Sequence, residues 1–290
     1  MTNKKNLLLL YFLIMIEFII LSKSSIVIKS VINTSYMFIT KVFPSLFPTM
    51  IIGNLLVKNN VWKIIPTFIK NTFKKIFGYN DAMIGIFIIS MFTGSPSNGM
   101  YINEYLEKKI INEKEAETLL CTTHFINPLF VIGGVGKGVF NDEKIGFIIL
   151  LLLYLSNFIK AFILRKKNTN ESKIINENNT NIIKDFTNVI KNSLNALLMI
   201  FGIIITFNLL VSLIANIFLL NDITSVILNG LLEMTGAVIS LKTLNINFYL
   251  KLLFAYYFLN FGGLCIQMQT MSMLQNKKIR YLKYLIFRMF

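Results

Sequence analysis

The chain has 290 residues, of which 54% are apolar and 13% aromatic, and its mean hydropathy of +0.63 excludes an ordinary soluble domain. It carries 29 Lys and Arg against 14 Asp and Glu, a formal net charge of +15. The basic residues are scattered and no nucleic-acid-binding fold is recognisable, so nucleic acid is not an expected partner. The excess charge either attracts anionic partners and lipid head groups, or reflects a lysine-rich composition whose surplus lies in cytoplasmic loops.

Apolar runs near the length that crosses a bilayer, about 20 residues, recur along the chain. They are Leu7–Leu21, Ala82–Phe92, Ile145–Leu164, Leu194–Leu220 and Phe248–Met268. These runs predict an all-α polytopic protein of the bacterial cell membrane. The first run follows a basic N-terminus as in a signal peptide, but Glu17 interrupts it and no small-residue cleavage site is clear. We therefore interpret it as a retained first span.

Charged loops between the runs predict which ends share a side of the membrane. Basic clusters near Lys75 and Arg165 indicate the cytoplasmic side. The segment Tyr101–Leu120 has balanced charge, and we predict a loop there on the opposite side. Asn112 and Glu115 have capping-box spacing, which predicts that a helix starts at that point.

The Asn-rich segment Arg165–Lys191 divides the chain into two halves and predicts a flexible cytoplasmic linker. The expected domains are an N-terminal span with an interfacial segment, a first repeat, the linker and a second repeat. Their bounds are 1–41, 42–164, 165–191 and 192–290.

Each half offers a short, broken hairpin followed by a span with a glycine-rich break. In the first half, Val42–Val57 contains two prolines and a glycine, and Gly94–Gly99 is the later break. In the second half the corresponding pair is Ile223–Leu241 and Phe261–Gly263. Re-entrant hairpins and discontinuous helices in an inverted repeat are typical of secondary transporters, which place their sites between them.

The stretch Gly94-Ser95-Pro96-Ser97-Asn98-Gly99 is the first candidate site. Its residues would unwind a helix and expose backbone N–H groups at the start of the next one. Such an N-terminus carries a positive partial charge and suits a carboxylate or phosphate. Ser95, Ser97 and Asn98 would add side-chain hydrogen bonds. The alternative is an ordinary loop between a span and a helix.

Glu233 and the polar residues of the last span form the second candidate. A carboxylate within a broken membrane segment is costly and usually functional, serving ion coupling, solute contact or an ion pair. The alternative is a hairpin tip that lies at the membrane surface. In the span that follows, buried amides need partners, and we expect Gln267 to share a face with Gly262 while Gln269 need not.

The stretch Cys121–Phe140 is irregular. Asn127 and Pro128 interrupt it, and its glycines favour close helix packing over nucleotide binding. His124 is the only histidine, and we predict a hydrogen-bonded interior side chain. No nucleophile–base pair, metal cluster or disulfide framework is evident, so no enzyme activity, metal or cofactor is expected.

Several motifs in order resemble the YlbJ family of sporulation integral membrane proteins, within the nucleoside-recognition or Gate-domain group. They run from about Pro44 to Phe290 and read PSLFP, TGSPSNG, EKKIINEKEAETLL, NPLFVIGGVG, GLLEMTG, FGGLCIQMQ and YLKYLIFR. The resemblance implies a fold related to concentrative nucleoside transporters. It also implies a role in endospore formation, in which dipicolinic acid moves from the mother cell across the outer forespore membrane.

The family's motif residues carry over by position. The matched residues are Gly94, Pro96, Gly99, Pro128, Leu129, Phe130, Gly230, Glu233, Met234, Thr235, Phe261, Gly262 and Gly263. The chain departs from the family at Ser95, where an aromatic residue is usual, and around His124 and Asn127, where Asn and Gly are usual. Gln267 stands about where a His is common, and the resemblance implies one more span after Phe290.

The hypothesis from the sequence is therefore a carrier of a small anion, with dipicolinate as the expected solute. The residues expected to line its site are Gly94, Ser95, Pro96, Ser97, Asn98, Gly99, Asn127, Glu233, Thr235, Gly262, Gly263 and Gln267. Glu233 is expected either to contact the solute indirectly, through a cation or a proton, or to brace the hairpin. A charged Glu233 would not face a dicarboxylate directly, because like charges repel strongly at low dielectric. The alternatives are a non-transporting component of a sporulation complex and a carrier of another solute such as a nucleoside. Oligomerisation is left open.

Overall fold

The computed structural model describes residues 4–165, 182–274 and 279–289, and these residues form only helices and their connections. The α-helices are α1 (Lys4–Ser22), α2 (Ser24–Met37), α3 (Phe43–Lys58), α4 (Thr67–Phe77), α5 (Asp81–Thr93), α6 (Ser97–Glu107), α7 (Glu113–Thr122), α8 (Gly138–Phe140), α9 (Glu143–Ile163), α10 (Ile182–Ile217), α11 (Asp222–Leu232), α12 (Met234–Ser240), α13 (Phe248–Phe261), α14 (Gly263–Met273) and α15 (Tyr281–Met289). Two π-helical segments, Phe38–Val42 and Phe130–Lys137, precede α3 and α8, and a 3₁₀ turn covers Val61–Lys63.

Four helices of the described ranges are long and apolar enough to cross a membrane. They are Ser24–Lys58, Glu143–Ile163, Asp185–Ile217 and Phe248–Met273, the last including the break between α13 and α14. Helices α4 and α5 form a further apolar pair, bent by 97°. The predicted all-α membrane protein is confirmed by these helices, and α1 covers the predicted first span.

The predicted hairpin at Val42–Val57 is wrong. The π-helical segment Phe38–Val42 joins α2 to α3 without interruption, so a continuous helix of 35 residues runs through both prolines. Membrane helices tolerate proline where π turns and Ser or Thr side chains satisfy the freed carbonyl groups. Here the hydroxyl of Ser45 donates to the carbonyls of Lys41 and Val42, at 3.0 and 2.9 Å.

The predicted span Ala82–Phe92 forms α5, which is too short to cross a membrane alone. Its 13 residues extend about 20 Å, against a hydrocarbon thickness of about 30 Å. A break at 94–96 follows, and α6 then leads back, since Glu104 lines the same surface cavity as Lys58. The prediction that Glu104 lies opposite the basic cluster is therefore wrong, because the short α5 and α6 turn back on each other.

The predicted loop Tyr101–Leu120 is mostly helical and partly buried. Tyr101 and Tyr105 in α6 are fully buried. The predicted capping box is confirmed at the start of α7, where Asn112 and Glu115 each accept the other's backbone N–H, at 3.0 and 2.8 Å.

The long helix α10 packs antiparallel against α2 and α3. Ser212 hydrogen-bonds Ser30 at 3.0 Å, and Asn54 donates to Ser193 at 2.9 Å near the other end. Helix α10 begins at Ile182, inside the predicted linker, and residues 166–181 of that linker lie outside the described residues.

Candidate functional site

Four interruptions of helical backbone meet inside the molecule. They lie at 94–96 between α5 and α6, at 123–127 after α7, at Glu233 between α11 and α12, and at Gly262 between α13 and α14. The N–H of Ser95 donates to the carbonyl of Phe125 at 2.6 Å, which joins the first break to the second. The predicted breaks at Gly94–Gly99, Glu233 and Gly262 are thus present and are brought together.

Glycine permits the close approach of these breaks. Gly94, Gly262 and Gly263 have φ angles of +77°, +78° and +62°. Residues that carry a Cβ rarely adopt this region of backbone conformation. A Cβ at Gly94 would lie 2.5 Å from the backbone nitrogen of Asn127, and one at Gly262 would lie 2.5 Å from Nε2 of His124. The second break therefore contacts both the first and the fourth.

The fourth break also contacts the third. A Cβ at Gly263 would lie 3.0 Å from the carbonyl oxygen of Leu232 and 3.1 Å from the backbone nitrogen of Met234. These two residues flank Glu233, so the fourth break touches the third.

A small cavity lies between the breaks of the two halves. Ser95, Pro96 and Asn127 line it from the first half, and Met234, Thr235 and Gln269 line it from the second. Its volume of about 30 Å³ accommodates a water molecule or two. Ligand pockets are about 300–1,000 Å³, so the conformation described here is closed around its centre.

A polar vestibule of about 680 Å³ lies between α3, α6, α10 and α14. Asn54, Asn103, Asn192, Asn195 and Ser272 are among its lining residues. Lys58 of α3 lines the vestibule and forms an ion pair with Asp185 of α10. Met199 of α10 lines the vestibule and the next residue, Ile200, lines the central cavity. The same three helices, α3, α10 and α14, therefore border both spaces.

All six residues of the Gly94–Gly99 stretch are buried, and two of them line the cavity. The Oγ of Ser95 is buried and has no hydrogen-bond partner among the described residues. Asn98 donates from Nδ2 to Oγ1 of Thr123 at 3.1 Å. Gly99 lies against the carbonyl of Thr270 in α14. Only Ser95 and Pro96 of this stretch therefore face the cavity, while Ser97, Asn98 and Gly99 belong to α6.

Asn127 lines the cavity, but its amide already has partners in the fold. Nδ2 donates to Oγ1 of Thr49 at 3.0 Å and to the carbonyls of Ser45 and Thr93 at 3.1 Å each. Oδ1 accepts the N–H of Leu129 at 2.9 Å. Asn127 therefore fixes the second break to α3 and α5.

Glu233 caps α12 from a fully buried position. Oε1 accepts the N–H of Thr235 at 2.9 Å, and Oε2 accepts the N–H of Gly236 at 2.7 Å. Asn208 of α10 donates from Nδ2 to Oε2 at 3.2 Å. The helix end and this amide hold the carboxylate, which agrees with a bracing role among the predicted alternatives.

The expected face of α14 needs a correction, because Gln269 lines the cavity and Gln267 does not. Gln267 accepts the hydroxyl of Tyr281 at Oε1, at 2.9 Å, and so points towards α15. The left-handed Gly262 ends α13, and the helical register restarts at Gly263. Spacing counted from Gly262 therefore gives the wrong face, whereas Ile266 and Gln269, three residues apart, share one.

Comparison with curated proteins gives a relative for the chain. The chain is 23% identical over 288 residues to the sporulation integral membrane protein YlbJ of Bacillus subtilis (strain 168), covering 86% of this chain and 70% of that protein. The chain is similar to YlbJ. The resemblance predicted from the motifs is confirmed, and the apolar helices agree with an integral membrane protein. No family model and no solved structure matches the chain.

Three of the positions at which the chain departs from the expected family pattern, Ser95, His124 and Asn127, lie at the breaks, whereas Gln267 lies within α14. Ser95 lines the cavity, and His124 lies against Gly262. The predicted interior histidine is confirmed, because His124 is 2% exposed and its Nδ1 lies 3.1 Å from the hydroxyl of Tyr284.

Sequence reasoning missed two buried cations, Lys160 in α9 and Arg288 in α15. Both stand near the end of an apolar run, where a basic residue normally marks the membrane surface. The available signal was Ser156 and Asn157, which precede Lys160 by four and three residues and so give α9 a polar face.

Proposed function

We propose that the chain is a carrier that moves a small anionic solute, dipicolinic acid, across the outer forespore membrane during sporulation. The observation that carries this proposal is the meeting of four backbone breaks at a buried cavity beside a polar vestibule. Irregular backbone at membrane depth is tolerated where protein or a water-filled cavity covers it, and transporters place their sites there.

The order of the elements supports an inverted repeat, with a pairing that differs from the one expected. A long helix, a pair of short helices and a second broken helix occur in the first half as α2–α3, α5–α6 and α7 with Phe130–Lys137. They occur in the second half as α10, α11–α12 and α13–α14. The hairpin of the first half is then α5–α6. A relation to concentrative nucleoside transporters is part of the proposal and rests on the family resemblance.

An anionic solute agrees with the electrostatics around the breaks. Helices α6 and α14 both begin at a break, so their N-termini bring positive partial charge to the same region. The cavity has to open before such a solute enters, which is the gating step that carriers and lidded enzymes share. The vestibule beside Lys58 is the expected entry path on the predicted cytoplasmic side.

A non-transporting component of a sporulation complex is the second candidate. The observation that favours it is the commitment of Asn127 and Glu233 to hydrogen bonds within the fold, around a cavity of water size. Under this reading the breaks serve packing alone, and changes in the cavity lining leave solute movement unaffected.

The test begins with dipicolinate accumulation in spores that lack their native carrier and express this chain. The next step measures dipicolinate uptake into membrane vesicles that contain the wild-type chain, the Ser95→Ala variant or the Ser90→Ala variant. Both hydroxyls are buried and have no partner among the described residues, but only Ser95 lines the cavity. Loss of one solute hydrogen bond of about 1 kcal/mol predicts an approximately fivefold rise in KM for Ser95→Ala and no change for Ser90→Ala.

Absence of accumulation and of uptake, with the chain present in the membrane, contradicts dipicolinate transport. Uptake of a labelled nucleoside in the same vesicles would then identify a carrier of another solute. Absence of uptake of either solute would favour the non-transporting component.

A further inference from the structure

Two buried cations, Lys160 and Arg288, lie near the second and fourth breaks and have no acidic partner among the described residues. Lys160 is 3% exposed and Arg288 is fully buried, and neither forms an ion pair within the described ranges of the chain. Nζ of Lys160 donates to Oδ1 of Asn260 at 3.0 Å, and Nη2 of Arg288 donates to the carbonyl of Cys121 at 2.7 Å. Nε and Nη1 of Arg288 have no hydrogen-bond partner among these residues.

The two cations belong to one cluster that reaches the second and fourth breaks. The carbonyl of His124 accepts Nδ2 of Asn157 at 3.0 Å, one helical turn before Lys160. On its other side, Nδ1 of His124 lies 3.1 Å from the hydroxyl of Tyr284, whose ring lies 5.7 Å from the guanidinium of Arg288. The cluster therefore spans α9, the second break and α15.

Such an arrangement is costly unless an anion balances it. Removing an unpaired cation from water is unfavourable even after relaxation, and two cations buried in one cluster repel as well. Ionisable residues at membrane depth usually serve a solute or ion pathway. The oxygen partners available here are an amide and a carbonyl, which carry no formal charge.

A groove gives a small molecule access to Lys160. It encloses about 480 Å³ between α9, α13 and α15, which is within the range of ligand sites. Lys160 and Ser156 are its polar lining, and Leu155, Ile159 and Tyr256 are among its apolar walls. A ligand that fits this chemistry has an anionic group at one end and a flat apolar or aromatic body.

We propose that Lys160 and Arg288 form an internal anion site that takes a carboxylate of a small aromatic acid. The identity of that acid as dipicolinate rests on the proposed function, whereas the site itself rests on the unpaired cations and the groove. The ammonium group of Lys160, which lines the groove, can donate to a carboxylate oxygen, and the unpaired N–H groups of Arg288 are further donors of the kind that bind a carboxylate in its plane. An anion bound there lies next to Asn260, two residues before the break at Gly262.

The test is thermal unfolding of the purified full-length chain in detergent with added dipicolinate. A neutral analogue, pyridine-2,6-dicarboxamide, and phosphatidylglycerol are the comparison ligands. We expect dipicolinate to raise the Tm of the wild-type chain, and the neutral analogue to leave it unchanged. Lys160→Met and Arg288→Met remove the unpaired charge, so we expect at least a tenfold weaker dipicolinate affinity with an equal or higher Tm without ligand.

Two further variants separate charge from packing. Lys160→Gln keeps a donor for Asn260 and is the substitute if Lys160→Met does not fold, and it too is expected to lose the ligand-dependent rise. Lys144→Met removes an exposed cation of the same helix and is expected to keep it. A full Tm rise in both the Lys160 and the Arg288 variants overturns the site, and so does a rise with phosphatidylglycerol alone.

The proposed solute and the proposed site fail in different ways. If benzoate or another carboxylate raises the Tm in a Lys160-dependent manner while dipicolinate does not, the anion site stands and its assignment to dipicolinate is contradicted. If none of these carboxylates affects the Tm of the wild-type chain, the anion site is overturned, whatever the spore assay shows.

Discussion

Glu233 shows how a helix start and one amide side chain stabilise a buried carboxylate. Both of its oxygens accept N–H groups at the start of α12, where the helix end carries positive partial charge. The sequence predicted the importance of this residue, because a lone carboxylate in a broken apolar stretch is unusual. It could not predict the partner Asn208, which lies 25 positions away on another helix.

We expect Glu233→Ala to lower the free energy of unfolding by about 1–3 kcal/mol, since it leaves buried N–H groups unsatisfied. Glu233→Gln keeps an acceptor and is expected to lose less. Asn221 caps the exposed start of α11 in the same hairpin, and Asn221→Ala is expected to cost about 1 kcal/mol or less. Denaturant unfolding in detergent measures all three. Equal losses for Glu233→Ala and Asn221→Ala would contradict the buried cap.

Gly262 offers a second test at the level of one residue. Gly262→Ala places a Cβ at φ +78° and 2.5 Å from His124, so we expect a loss of more than about 1 kcal/mol from the left-handed backbone alone. Gly202 lies inside α10 with nothing within 4 Å of an added Cβ. Gly202→Ala is expected to stabilise by about 0.5–1 kcal/mol. A stabilising effect of Gly262→Ala would contradict the tight contact of the two breaks.

At the scale of elements, glycine predicted the helix interruptions correctly, whereas proline did not. The glycines at the breaks predicted interruptions because left-handed backbone and close contacts require them. Pro44 and Pro48 predicted an interruption that is absent, because the π-helical segment Phe38–Val42 leads directly into α3 and the helix continues through both prolines. Proline in a membrane helix therefore gives a weaker signal than a glycine with a proline two residues later, as in the break at Gly94.

The π-helical segment Phe130–Lys137 docks on α9 through a glycine pair, and this contact can be tested. A Cβ at Gly146 would lie 2.8 Å from Cα of Ile132, and one at Gly136 would lie 2.8 Å from Cα of Gly146. We expect Gly146→Val to separate the two elements and to lower the Tm by several degrees. Gly133 of the same segment has nothing within 4 Å, so Gly133→Ala is the control and is expected to change little.

At the scale of the whole molecule, the vestibule and the closed cavity predict one-sided access. In a chain with Cys121 and Cys265 replaced by Ser, a cysteine at Asn192 in the exposed vestibule is expected to react quickly with a membrane-impermeant thiol reagent. A cysteine at Gln269 beside the cavity is expected to react slowly from either face. Rapid labelling of both would contradict the closed centre. Labelling rates in oriented vesicles provide the measurement.

The apolar runs predicted the helical class and the long helices, since length and hydropathy are local properties. The sidedness of Glu104 and the burial of Lys160 depend on contacts between distant segments. Glu104 returns to the side of Lys58 because α5 is too short to cross, and Lys160 is buried because α13 and α15 cover it. No local charge pattern contains that information.

The meeting of four breaks at one place limits how the lengths of the chain can vary. A single residue inserted between Gly263 and Gln269 would turn Gln269 by about 100° around α14, away from the cavity, while the break itself stayed in place. The same insertion in the connection 241–247 would leave all four breaks aligned. Insertions and deletions are therefore expected to accumulate in the connections and to be rare within the half-helices that end at the centre.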